Sequence, residues 1–315
     1  MTDDGTSPER ESAGGFEGVA PDDVEAGARR VREGRADAPA DWPEQAVAAG
    51  FADDEADYYA TLREATLRAA REDASERERA DDQQLVHAVR AMDDVTAQAN
   101  ELAERVAEWA GSRYPDAGTG VEYARELAER EGEASEESDD SHVSPTDERL
   151  VSLARRVANF ADEADRLRAF IERETPEVAP NLAAMAGPVL AARLVSLAGG
   201  LESLAKKPAG TVQVLGAEDS LFAHLRGRAP SPKHGVIFTH EYVRGTRPEK
   251  RGSAARAFAG KLAIAARVDY YSGDRKPELD EELRERIEQI RGEGGDGGGG
   301  DGSGDGTGAE GGDDE

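Results

Sequence analysis

A chain of 315 residues with 37% hydrophobic content can hold two or three small cores but not one large one. It has no cysteine, which excludes disulfides, thiol nucleophiles and thiolate metal sites, and no apolar run approaches the roughly 18 residues that a membrane helix needs. The net charge is −28, from 67 Asp and Glu against 39 Lys and Arg, and acid in such excess reads as adaptation to concentrated salt, where self-repulsion is screened.

Residues 1–15 are polar and acidic and are expected to be disordered. A secretory signal would start basic and continue apolar, so a soluble, cytoplasmic protein with no membrane partner is the expectation. From Phe16 to Ala80 a few large side chains stand out: Phe16, Val24, Val31, Trp42, Val47, Phe51, Tyr58, Tyr59, Leu62 and Leu67. The breaks at Pro39, Pro43 and Gly50 predict short helices joined by turns, making a small N-terminal domain over 16–80.

Residues 81–175 read as two long helices that run out and back. On the first, Leu85, Val89, Met92, Val95, Ala99, Leu102, Val106 and Trp109 recur three and four apart; on the second, Leu150, Leu153, Val157, Phe160, Ala164, Leu167 and Ile171 do the same. That is the seam of a coiled coil. Between the arms, Pro115, Gly118, Gly120 and the acidic run 136–140 mark a tip, with a short helical stretch near 121–130. In 176–291 the small-residue runs 182–187, 191–193 and 198–200 predict helices in close approach. The Gly/Asp tail 292–315 is expected to be disordered, and its glycines neither follow a strand nor open a helix, so they make no dinucleotide fingerprint. The fold class expected is mainly α.

Charge inverts between Lys206 and Asp269. This segment holds 12 Lys and Arg against 5 Asp and Glu, a balance of +7, so the remainder carries −35. Clustered cations in an acidic chain are the footprint of a phosphate-bearing partner. The loop Arg226-Gly-Arg228-Ala-Pro-Ser-Pro-Lys233-His234-Gly235 puts basic side chains on a stiff Gly/Pro-bounded frame, which presents donors at low ordering cost, and His234 can stack on an unpaired base. Arg244, Arg247, Lys250 and Arg251 precede a helix on which Arg256 and Arg267 lie three turns apart and so share a face. The alternative is that about half of the helix arginines pair with the chain's own carboxylates. Gly252 to Leu262 has the wrong spacing for a phosphate-binding loop, His234 and His240 have no further cluster to complete a metal site, and no G-x-S-x-G elbow occurs. No active site and no cofactor are therefore expected.

The ordered blocks Ala198-Gly199-Gly200-Leu201, Gln213-Val214-Leu215-Gly216-Ala217-Glu218, Pro232-Lys233-His234-Gly235, Arg251-Gly252, Ala255-Arg256, Lys261 and Ala266-Arg267 strongly resemble the Nop domain. That module occurs in the archaeal scaffold of box C/D small ribonucleoproteins and in its nucleolar and spliceosomal relatives. Residues 103–118 resemble the first coiled-coil arm of the same family, and the acidity points to a halophilic archaeal member. The resemblance implies a Nop RNA- and protein-binding domain over 176–291 and self-association through the hairpin, in which Val89, Met92, Leu102, Val106, Leu150, Leu153, Val157, Phe160, Leu167 and Ile171 form the seam. A hairpin closed within one chain is the alternative. It further implies three partners: a box C/D guide RNA, a kink-turn-binding ribosomal-protein-like partner, and a fibrillarin-type methyltransferase docked by the N-terminal domain, which looks abbreviated here. By matching position it implies contact roles for Gly216, Ala217, Glu218, Lys233 and His234. One departure is Asp219-Ser220, where the family usually has Lys-Ala. The function implied is a non-catalytic scaffold for RNA-guided 2′-O-methylation. Its rivals are a kink-turn assembly factor without a methyltransferase and an RNA-processing enzyme.

Overall fold

The structure, a computed structural model, describes residues 13–34, 40–137 and 144–292, and every regular element among them is helical. The ends 1–12 and 293–315, Pro39 and the last part of the acidic run at 138–140 lie outside the described residues. The chain folds as two units, one ending at Ala80 and one beginning at Asp81.

The first unit has three helices, α1 Val24–Glu33, α2 Trp42–Ala48 and α3 Glu55–Arg79. Each starts at an aspartate whose carboxylate accepts a backbone N–H two or three residues into the first turn: Asp23 from Ala26, Asp41 from Glu44 and Asp54 from Asp57. The core is small and aromatic. Phe16 stacks on Phe51 at 4.8 Å and meets Tyr58 edge-on, and the Tyr58 hydroxyl donates to the Gly14 carbonyl at 2.9 Å. Gly14 is thus part of the packed unit, where the sequence pattern places it in a disordered end. Among the anchors read from sequence, Val47, Tyr59 and Leu67 face outward. The third helix also runs 25 residues, not the short length the prolines suggested, because no breaker occurs within it.

In the second unit α4 Asp81–Gly111 and α6 Pro145–Val178 pack along their lengths, and α5 Gly120–Glu137 lies against both. The 3–4 spacing buries Leu85, Val89, Met92, Ala99, Val106, Leu150, Val157 and Ile171, while Val95, Leu102, Leu153, Phe160, Ala164 and Leu167 are half-buried and Trp109 is exposed. Where the sequence reads a tip, α5 contributes to a core. Tyr123, Ala124 and Leu127 are buried with Ala103, Val106, Leu150 and Val157. Polar residues on its outer side masked this inward face. At the far end Arg113 pairs with Asp147, which also accepts from the Tyr114 hydroxyl at 3.0 Å. Leu127→Ala is expected to lower the stability of this unit by about 2–4 kcal/mol in urea titrations, whereas a solvated tip would leave the midpoint unchanged.

The hairpin leads into short helices: α7 Pro180–Ala186, α8 Pro188–Ala198, α9 Leu201–Lys206, α10 Ala209–Val214 and α11 Glu218–Leu225. They are followed by a 3₁₀ turn Val236–Thr239, α12 Glu241–Arg244, α13 Arg251–Tyr271 and α14 Glu278–Gly292. The axis of this part is α13, which buries Ala254, Ala255, Phe258, Ala259, Leu262, Ala263, Ala265 and Ala266. Alanines on so much of its circumference let α7, α9 and α10 approach it closely. Asp269, buried, caps the start of α7 by accepting from Asn181 N at 3.0 Å, Leu182 N at 2.9 Å and Asn181 Nδ2 at 2.6 Å. The same core reaches back to the first two turns of α4. Val86 belongs to it, Asp82 accepts from Leu201 N at 2.7 Å, and Gln83 donates to the Gly199 carbonyl.

Candidate nucleic-acid interface

The basic loop is laced to the end of α10. Gly235 N donates to the Gln213 carbonyl at 2.8 Å, Val236 N to the Leu215 carbonyl at 2.7 Å, and Gln213 Nε2 to the Lys233 carbonyl at 2.6 Å. These bonds bring the loop so near that a methyl on Gly235 would lie 1.9 Å from the Leu215 oxygen. Gly216 turns the chain between α10 and α11 at φ +79°, a conformation that disfavours any side chain. Its N–H is taken by Glu218 Oε1 at 2.9 Å. Glu218 and Gly216 therefore shape the turn, with Ala217 half-buried between them.

On this frame, His234 stacks on Phe238 with ring centroids 4.4 Å apart and planes at 16°, and the Arg251 guanidinium lies 5.5 Å from the Phe238 centroid. Arg251 also donates to the carbonyls of Thr246 and Arg244, so its plane is set by three contacts. Burial holds the His234 imidazole below its usual pKa, and the Arg251 and Lys233 charges push the same way. The ring is neutral near pH 7 and fit for stacking. His240 is likewise pushed down by burial; it packs against Tyr242 and Phe258 and belongs to the core beneath the loop. Sequence reasoning missed two supports. One is Phe238, which reads as core in the run Gly-Val-Ile-Phe. The other is Arg291 on α14, which donates to Thr246 Oγ1 and the Glu241 carbonyl and whose own carbonyl accepts from Arg247.

Arg226, Arg228, Lys233, Arg244, Arg256 and Arg267 are exposed, and neither they nor Arg251 pairs with a carboxylate among the described residues. Outside this segment Arg32 gathers Glu72, Asp73 and Glu76, and Arg193 grips Asp93 with two bonds, while Arg63, Arg71, Arg90 and Arg149 also have no carboxylate partner among the described residues, so what marks the segment is the clustering of such cations. Arg256 and Arg267 share the open face of α13, while Lys261 pairs with Glu282 and Arg247 comes within 3.9 Å of Glu249. Beside the loop, α11 buries no side chain and leaves Phe222 54% and Leu225 71% exposed. Val89, Met92, Val106, Leu150, Val157 and Ile171 are buried inside the chain.

The family described as "Nop: snoRNA binding domain, fibrillarin" matches residues 123–291, more than half of the chain. The chain belongs to the Nop family. The matched stretch takes in α5 and α6 as well as the basic loop and α13. An uncharacterized NOP5 family protein of Methanocaldococcus jannaschii is 37% identical over 67% of this chain and 57% of its own length. Nucleolar protein 58 of Scheffersomyces stipitis is 31% identical over 66% of this chain and 46% of its own length, and that of Saccharomyces cerevisiae 30% over 65% and 45%. The chain thus spans about half the length of these curated relatives. A chain from a crystal structure of a fibrillarin/Nop5p complex is 26% identical, with 85% of this chain and 91% of that chain covered and a TM-score of 0.48.

Proposed function

We propose that this chain is the non-catalytic scaffold of a box C/D-type ribonucleoprotein that directs 2′-O-methylation of ribosomal or transfer RNA. The observation that carries the reading is the set of exposed cations without carboxylate partners around the His234–Phe238 stack, inside the matched Nop stretch. Lys233, Arg226, Arg228 and Arg244 supply phosphate contacts, and the stacked imidazole supplies a surface for an unpaired base. Counterion release fades as salt rises, so phosphate contacts alone would hold RNA poorly in concentrated salt. Phe222 and Leu225 beside the loop offer apolar area to a kink-turn-binding protein already seated on the RNA, which makes the recognised surface a composite one. The first unit, with its small aromatic core, is assigned to docking a fibrillarin-type methyltransferase, to which catalysis and the methyl donor belong. Self-association through the hairpin would use half-buried positions such as Phe160, because the deepest seam residues are consumed within the chain.

A gel shift of a kink-turn RNA in molar KCl, with and without a kink-turn-binding protein, tests the reading. The chain is expected to shift only the preformed RNA–protein complex. Lys233→Ala/His234→Ala is expected to raise the half-shift concentration by about tenfold or more, from one lost charge contact and one lost stack. Equal binding to naked RNA, or none to the complex, would sink the assignment.

A further inference from the structure

On α13 the residues Arg256, Gly260, Ile264, Arg267 and Tyr271 succeed each other four, four, three and four apart, so they line one side of the helix over about 22 Å. That side carries no carboxylate. The helix has a single acid, Asp269, and its oxygens are spent on Asn181 and Leu182. At the C-terminal end of this face two adjacent aromatic rings meet water: Tyr270 is 40% and Tyr271 69% exposed, with centroids 4.8 Å apart and planes at 72°. Glu202 accepts from the Tyr270 hydroxyl while also pairing with Lys206, so that carboxylate is already taken up. Arg267 Nη2 donates to the Lys207 carbonyl at 3.2 Å, which ties the backbone at Lys207 to the same face as Arg267. Neither Arg267 nor Lys207 has a carboxylate partner among the described residues.

We propose that the Tyr270–Tyr271 pair is a stacking platform for unpaired bases of a single-stranded RNA, with Arg267 and Lys207 holding its phosphates. Exposed aromatics next to cations that have no carboxylate partner are the chemistry that recognises single strands, since every base has a face to stack and every nucleotide a phosphate. A protein partner of matching acidity would gain nothing from the paired rings that a flat apolar patch would not give it. The proposal rests on the reading that this stretch binds RNA and adds to it a strand site at the opposite end of α13 from Arg251.

The test is the quenching of a single-stranded oligoadenylate of about eight nucleotides carrying 2-aminopurine by the full-length chain in KCl. Wild type is expected to quench it, Tyr270→Ala/Tyr271→Ala to need about tenfold or more protein for the same quenching, and Tyr270→Phe/Tyr271→Phe to behave as wild type, since stacking needs the ring and not the hydroxyl. Circular dichroism of each variant checks that the helices persist. No quenching by wild type, or equal quenching by the alanine variant, overturns the platform. The kink-turn gel shift run on the same samples keeps the two readings apart. A wild type that shifts the complex but leaves the strand unquenched loses only the platform, and one that quenches the strand but shifts no complex loses only the scaffold assignment. If the alanine variant keeps strand quenching but no longer shifts the RNA–protein complex, the rings dock protein and the platform is wrong.

Discussion

Gly235→Ala is expected to lower the stability of the second unit by about 3–5 kcal/mol and to abolish binding to the kink-turn complex. The φ of Gly235 is negative, −109°, so a left-handed turn is not the cause. The cause is close approach. A methyl there would lie 1.9 Å from the Leu215 oxygen and 2.7 Å from the carbonyl carbons of Leu215 and Val214, all of them backbone atoms that cannot rotate away. The loop would have to lift, breaking Gly235 N to Gln213 and Val236 N to Leu215. Lys233 and His234 would then lose their fixed place over α10. Gly210→Ala is the control, since nothing lies within 4 Å of a methyl at that helical position, and it is expected to be neutral or to stabilise by up to about 1 kcal/mol. Urea midpoints of the two variants in molar KCl decide the matter; an unchanged midpoint for Gly235→Ala would mean that the loop is not seated on α10 in solution.

Asp269→Ala is the second large effect, about 2–4 kcal/mol, because it leaves Asn181 N and Leu182 N without their acceptor inside the core and takes from the Asn181 amide one of its two acceptors, the other being the Asp274 carbonyl. Its dependence on pH has a definite sign. Burial raises the Asp269 pKa, against the opposing pull of its three hydrogen bonds and the Arg275 charge. A carboxyl whose folded pKa lies above its unfolded one binds its proton more readily in the folded state. Its contribution is therefore largest below the unfolded value near pH 4 and falls as pH rises through the window up to the folded value. The stability gap between wild type and Asp269→Ala should widen as pH is lowered through the folded value toward about 4. Asp147 behaves in the opposite sense. The Arg113 hydrogen bond chiefly, with that from Tyr114, lowers its pKa, so what it contributes is present above the unfolded value and is lost as pH falls through the folded one. Parallel unfolding titrations of Asp269→Ala and Asp147→Ala should diverge on acidification; parallel slopes would show that burial does not dominate at Asp269.

Much of this architecture was legible in the sequence because it rests on periodicity. Leu150, Val157 and Ile171 are buried in the register their spacing requires, and so are Val89, Met92 and Val106. The spacing does not carry the identity of the partner. A seam closed by another copy and one closed by α4, α5 and α6 of the same chain have the same period, and the short apolar triad Tyr123, Ala124, Leu127 gives too little signal among Glu and Arg to show that the helical stretch near 121–130 packs into a core. The basic segment was legible as charge and as motif blocks, but individual roles depended on three dimensions. Asp269 sits in that segment as one of its acids, yet it is buried and faces backbone N–H groups. Glu218 closes its own turn through Gly216. Phe238 looks like a core residue until its ring is found under His234.

The root of α4 sits inside the core built around α13, through Asp82 on Leu201, Gln83 on Gly199 and Val86 in the shared core. A fragment cut at residue 176 would discard those three contacts, so this part of the fold is discontinuous in sequence and must be expressed with at least the first two turns of α4. Mechanically, the hairpin is then a clamped beam with no swivel at its base. The 31 residues of α4 set its reach at about 46 Å, a length counted in helical turns, so removing seven residues from each arm would shorten it by about 10 Å while keeping the same side chains facing inward. Whatever docks at the far end is held at a distance from the basic loop that is written into the number of residues.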